Sequence, residues 1–218
     1  MNITDYILND FSPLTLQSTV KEALQLFKTY PITHIPILEN DTYIGCISQS
    51  DILTIDNEDT FLKEQQDFLD HFQTKGDNSI LEVLKKFADN DTNIIPAIIE
   101  NTYIGYFELN DILDIFSQTP FLNSDGFILV IEKNNSDYTM SEIAQIVESN
   151  NANLLGCYVS NKTGDRAELT LKISSQEINE IIQTFRRYNY TIITEHKDDF
   201  YLEELKNRSE YLRKFLNT

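Results

Sequence analysis

Cysteine and histidine are scarce in this 218-residue chain, and its first half has no arginine. The two cysteines, Cys46 and Cys157, lie in apolar strand-like runs without CxxC spacing, so neither a disulfide framework nor a thiolate zinc site is expected. His34, His71 and His196 are scattered through different segments, whereas metal-binding histidines come in spaced pairs, so no metal centre is expected. No apolar run is long enough to span a bilayer, and no basic stretch precedes an apolar one in MNITDYILNDF, so the expected location is cytoplasmic. GxSxG, P-loop, GxGxxG and HExxH motifs are all missing, and the acidic residues are spread as a solvated surface. A non-enzymatic protein is therefore expected.

Charge of one sign is scarce as well. Residues 1 to 120 hold six lysines and no arginine against 20 acidic residues, a formal charge of −14 within a total of −18. Nucleic acids and anionic lipid surfaces are held mainly by Lys and Arg, so both are excluded as expected partners.

What the chain does contain is a duplication. The segment STVKEALQLFKTYPITHIPILENDTYIGCISQSDIL, residues 18 to 53, aligns without a gap on NSILEVLKKFADNDTNIIPAIIENTYIGYFELNDIL, residues 78 to 113, with 12 identities in 36 positions. Each copy opens on a helical stripe, Val20, Ala23, Leu24 and Phe27 in the first and Ile80, Val83, Leu84 and Phe87 in the second. An apolar segment around Pro36 or Pro96, a polar turn and a second segment from Tyr43 or Tyr103 then read as a hairpin. Asp51-Ile-Leu and Asp111-Ile-Leu start a further short helix. One such unit is too small to cover its own sheet, so the copies are expected to pack on each other. Between them Phe61, Leu62, Phe68, Leu69 and Phe72 fall near helical spacing and predict a helix.

After about residue 122 the pattern changes to strand, helix, two strands, helix, strand: Phe127–Glu132, Met140–Ser149, Leu154–Ser160, Ala167–Ile173, Gln176–Tyr188 and Tyr190–Glu195. This βαββαβ order is the ferredoxin-like arrangement. Tyr201, Leu205, Leu212, Phe215 and Leu216 then lie on one helical face, which predicts a C-terminal amphipathic helix over 198–218 docking on the body or on a second subunit. The predicted class is α+β.

The HIPIL segment, the YIG turn and the endings GCISQSDIL and GYFELNDIL resemble a tandem pair of CBS domains over residues 1–120, with repeats at about 10–56 and 72–118. Residues 125–196 resemble an ACT domain at the level of element order, and the combination is similar to acetoin-utilisation-type CBS proteins. The resemblance implies a regulatory homodimer whose CBS cleft holds an adenosine derivative, with an aspartate of a Ser/Thr-x-x-Asp motif on the ribose. Ser48 and Asp51 match that motif, Ile35 and Pro36 would flank the base, and His34 would lend partial positive charge. In the second copy Pro96 and Asp111 remain, but Glu108 replaces the hydroxyl residue. With no arginine in this half, a polyphosphate would need Mg²⁺; the implied ligands are AMP, ADP, Mg-ATP or S-adenosylmethionine. No catalytic cofactor is implied.

The same residues have a plainer reading. Ser-x-x-Asp before an apolar run is also a helix N-cap signature, and His34 fits a half-buried strand position. Read so, the chain is a ligand-free homodimeric scaffold that meets a protein partner. In the ACT-like half, Asn135, Ser136, Asp137 and Tyr138 form either polar effector contacts or an ordinary loop and cap, and the turn lacks the glycine of that family.

Overall fold

The structure, a computed structural model, describes residues 3–40, 42–100 and 102–194. The expected helix over 198–218 lies outside the described residues, as does the end of the last expected strand at Glu195. Chain contacts divide the molecule into two units, Met1–Gln118 and Thr119–Thr218.

In the first unit each copy begins with a helix whose start is fixed by its own side chains. Thr19 caps α1 (Val20–Thr29) and Ser79 caps α3 (Ile80–Asp89), each in a reciprocal box with the glutamate three residues on, Glu22 or Glu82. The stripes predicted from sequence face inward, with Val20, Ala23 and Phe27 buried in the first copy and Val83 and Phe87 in the second. Antiparallel hairpins follow: β2 (His34–Glu39) with β3 (Thr42–Ser48), and β6 (Ile94–Ile99) with β7 (Thr102–Glu108). Helices α2 (Gln49–Ile52) and α4 (Leu109–Ser117) begin two residues before the Asp-Ile-Leu strings.

The segment between the copies is not the expected helix. It forms a 3-10 turn over Leu62–Phe68 with a kink at Gln65, then β4 (Leu69–Asp70) and β5 (Thr74–Lys75). Its apolar residues are claimed by two sheets in turn: β4 adds to β3 of the first copy, and β5 runs parallel to β6 of the second. The N-terminal segment makes the mirror-image crossing. Leu8 bridges Tyr106 on β7, and β1 (Leu14–Thr15) then lies parallel to β2. Pro36 is tolerated in β2 because β1 reaches only Ile37 and Leu38, so at Pro36 just one side of the strand carries a ladder.

These crossings explain why the pair is one unit. One core cluster joins Val20, Ile35, Ile47 and Ile52 to Ile94 and Tyr106 of the other copy. The other joins Val83, Ile95, Phe107 and Ile112 to Cys46, Phe72 and Ile3. The copies meet at matching positions: the Thr33 N–H donates to the Asn93 side-chain oxygen at 2.8 Å, and the Asn93 N–H donates to the Thr33 hydroxyl at 3.1 Å.

The second unit opens with α5 (Pro120–Asn123) and then shows the predicted βαββαβ order: β8 (Phe127–Asn134), α6 (Met140–Ser149), β9 (Asn153–Thr163), β10 (Arg166–Ser174), α7 (Asn179–Arg187) and β11 (Thr191–Ile192). All neighbours are antiparallel, in the spatial order β11-β8-β10-β9, which is the ferredoxin-like sheet. Leu129, Ile131, Leu169, Leu171 and Ile173 on one sheet face are buried with Ile143, Ile146 and Val147 of α6 and with Ile181, Ile182 and Phe185 of α7. A partly buried network closes one end of this core: Glu142 accepts from Lys133 at 2.8 Å and from the Tyr190 hydroxyl at 2.7 Å, and the Lys133 ammonium sits 4.1 Å from the Tyr190 ring centroid. The lysine contact holds the Glu142 carboxyl below its usual range. The architecture is α+β throughout.

Candidate functional site

Ser48 ends β3 and is buried, and its cross-strand partner in the hairpin is His34. Because β3 runs directly into α2, the Ser48 hydroxyl stands at the helix start. It accepts from the Asp51 N–H at 3.0 Å and donates to the Asp51 carboxylate at 2.6 Å. The Ser50 hydroxyl lies 2.8 Å from it. The capping reading of Ser48 and Asp51 is thus realised in the structure. The cap also fixes one Asp51 oxygen and leaves the half-buried carboxylate held rigidly at the rim of the hairpin.

His34, Ile35 and Pro36 are buried along the adjoining strand β2. The His34 ring is more constrained than sequence suggested. Its Nδ1 is 2.9 Å from the Thr33 hydroxyl and its Nε2 is 3.3 Å from the Asp70 carboxylate, and its ring meets Phe72 edge-on at 5.2 Å. Burial pushes the imidazole below its ordinary 6.5, against the opposing pull of Asp70, Asp51 and Asp91. His34 therefore brings little positive charge to the cleft at neutral pH.

The twin cleft in the second copy is built differently. Glu108 precedes α4 without making a side-chain cap, where Ser48 caps α2. Burial raises the Glu108 carboxyl, as do the charges of Asp111 and Asp10. The N-terminal crossing also brings Phe11 against Tyr106, ring centroids 4.9 Å apart, with Phe11 and Tyr106 both buried. Pro96 is buried opposite Tyr106, while Asp111 is half-buried in the first turn of α4. The structure therefore gathers Ser48, Asp51, His34, Ile35 and Pro36 around one hairpin and sets Asp111 and Pro96 apart in the other.

Asp70, Phe72 and Thr33 touch His34, and Asn93 bonds Thr33; sequence reasoning missed all four. The ungapped register does align Thr33 with Asn93, a signal that could have found that pair. Asp70 had none, because the crossing of β4 onto β3 is a long-range choice. Among the described residues no group of three or more His, Cys, Asp or Glu side chains is placed to hold a metal ion, and no helix is long and apolar enough to cross a membrane.

Acidification tests the burial of His34. Its folded-state pKa lies below the unfolded one, so between the two values the unfolded chain binds more protons, and stability falls as pH drops below about 6.5. Denaturant midpoints at pH 7.5 and 5.5 should fall further for the native protein than for His34→Gln. Equal losses would show that His34 does not contribute to the acid sensitivity.

The first unit is thus a duplicated α+β module with interleaved sheets and a capped Ser-x-x-Asp at a hairpin end, and the second is a ferredoxin-like domain. Residues 3–58 match the family model of the CBS domain, and the second copy repeats the same elements. Among solved structures the chain is similar to a CBS domain pair/ACT domain protein from Thermotoga maritima, at 18% identity and TM-score 0.48 over 53% of this chain and 96% of that one. A protein assigned to acetoin utilization from Vibrio cholerae matches at 19% identity and TM-score 0.46, over 53% and 90%. CBSX2 in complex with AMP matches at 16% identity and TM-score 0.44, over 54% and 96%. No curated protein sequence matches the chain.

Proposed function

We propose that the chain is a non-catalytic sensor whose first-copy cleft binds an adenosine-containing metabolite and whose ACT-like half forms a homodimer in the cytoplasm. The carrying observation is the Asp51 carboxylate, held at 2.6 Å by the Ser48 hydroxyl at a helix start beside the strand His34–Pro36. A carboxylate so fixed accepts both ribose hydroxyls without first being ordered, and the base lies against the backbone of the Ile35–Pro36 segment. Charge favours AMP, adenosine or S-adenosylmethionine over free ATP: Asp51 and Asp70 repel phosphate and His34 is held neutral, so a triphosphate requires Mg²⁺.

Calorimetric titration with AMP, ADP, ATP plus Mg²⁺ and S-adenosylmethionine tests this. Asp51→Ala should weaken the ligand that binds by about 10- to 100-fold, the worth of charged hydrogen bonds at about 1.5–3 kcal/mol. Binding by none of the four, or an unchanged affinity in Asp51→Ala, sinks the proposal.

A second reading has its own support. The His34–Asp70 contact and the Phe11–Tyr106 pair put the protein's own side chains into both clefts, which favours a ligand-free homodimeric scaffold with a basic protein partner. It predicts that none of the four ligands raises the melting temperature.

A further inference from the structure

The helix-covered face of the ferredoxin-like sheet leaves the opposite face to be explained. Strand alternation places Ile128, Val130 and Glu132 of β8 on it, with Thr170 and Lys172 of β10 directly opposite Val130 and Ile128. Ile128 is 44% exposed, Tyr158 on β9 50% and Ile193, just past β11, 46%. Helix α5 covers only the β9 side, where the Phe121 ring packs on Gly156 and lies edge-on to Tyr158 at 6.1 Å. Toward β8 and β11 the apolar surface lacks a cover among the described residues. One row of this face is acidic instead: Glu132 and Glu168 stand opposite each other across β8 and β10, and Glu132 is already paired with Arg166.

The chain leaves the described residues at the rim of that surface. The Ile193 N–H donates to the Val130 carbonyl at 2.9 Å, and the Val130 N–H donates to the Thr194 hydroxyl at 3.1 Å. The remaining sequence, 195–218, carries Tyr201, Leu205, Leu212, Phe215 and Leu216 at helical spacing, and Arg208 falls on the same stripe. A helix over 201–216 would be about 24 Å long, enough to cross four strands spanning about 15–20 Å. The residues before it, up to Phe200, are enough to turn the chain back onto the sheet.

We propose that residues 198–218 of the same chain dock as an amphipathic helix on the open sheet face, with the apolar stripe on Ile128, Val130 and Ile193 and Arg208 toward Glu168. The helix supplies a third layer, on the sheet face opposite α6 and α7. Hydroxyl-radical footprinting tests it on the full chain, on a chain ended at Thr194 and on the full-length double variant Leu212→Asp/Phe215→Asp. Labelling of Ile128 and Ile193 should rise several-fold in both variants, and an added peptide of residues 198–218 should reverse the rise in the shortened chain. Labelling unchanged in the double variant overturns the proposal. Protection that is lost on dilution of the native chain overturns it as well, because the occupant is then a second copy. Should the shortened chain fail to fold, the double variant decides alone.

Discussion

Gly105→Ala should destabilise the first unit by about 3 kcal/mol or more, while the matching Gly45→Ala, which meets no comparable overlap, costs less. A Cβ at Gly105 would lie 2.3 Å from the Leu8 carbonyl oxygen and 2.6 Å from the Ile7 side chain, and Gly105 has φ +136, where L side chains are strained. The strain costs about 1–3 kcal/mol and the overlap a further 1–3, set against a total domain stability of about 5–15 kcal/mol. The contact cannot be relieved locally. Leu8 and Tyr106 exchange backbone hydrogen bonds at 2.8 and 3.0 Å, so moving Leu8 breaks the crossing that ties the N-terminus to the second sheet. Gly45, at φ +158, also has positive-φ backbone, but its nearest atoms are 3.1 Å away and need to give by only a few tenths of an ångström, so the two sites differ in the overlap. Urea denaturation of the two variants measures the difference directly. Equal and small losses would mean that the N-terminal crossing does not contribute to the stability of the pair.

Phe185→Ala should cost the ferredoxin-like unit about 3–5 kcal/mol, the usual range for emptying a buried aromatic site. Phe185 is fully buried between the sheet and α6, and its ring meets Tyr190 edge-on at 5.3 Å. The cavity has little means of closing, because Tyr190 is held by its hydrogen bond to Glu142, which Lys133 holds in turn. The cores of the two units share no residue, so the loss should stay local. Hydrogen exchange followed by mass spectrometry should show protection collapsing over residues 127–192 and surviving over 20–118. A uniform loss along the chain would show that the two units unfold as one.

How much was legible in the sequence varies by element. The helices α1, α3, α6 and α7 could be read because each needs only a local apolar stripe, and two of them carry complete capping boxes in sequence. The hairpins were equally plain, since Pro36 and Pro96 and the YIG strings recur at one spacing. The segment from Phe61 to Phe72 misled because its apolar residues are near helical spacing for an unrelated reason. Leu62 is buried in the first cluster and Phe72 in the second, so the spacing reflects two separate burials and not one helix face. In the site, Ser48 and Asp51 were found through their motif, and their proximity is local. Asp70 was not, because it reaches His34 only through strand pairing across a long loop.

The sequence by itself determined the duplication, the change to βαββαβ order and the difference between Ser48 and Glu108, all of which are properties of neighbours along the chain. Tertiary structure alone decided the exchange of segments between the two sheets, the Asp70 contact that holds His34 and the packing of Phe11 on Tyr106. The physical reason is the same in each case. Local periodicity records which residues want burial, but the partner that buries them is chosen by packing and by backbone groups that must find a ladder, and that choice joins residues far apart in sequence.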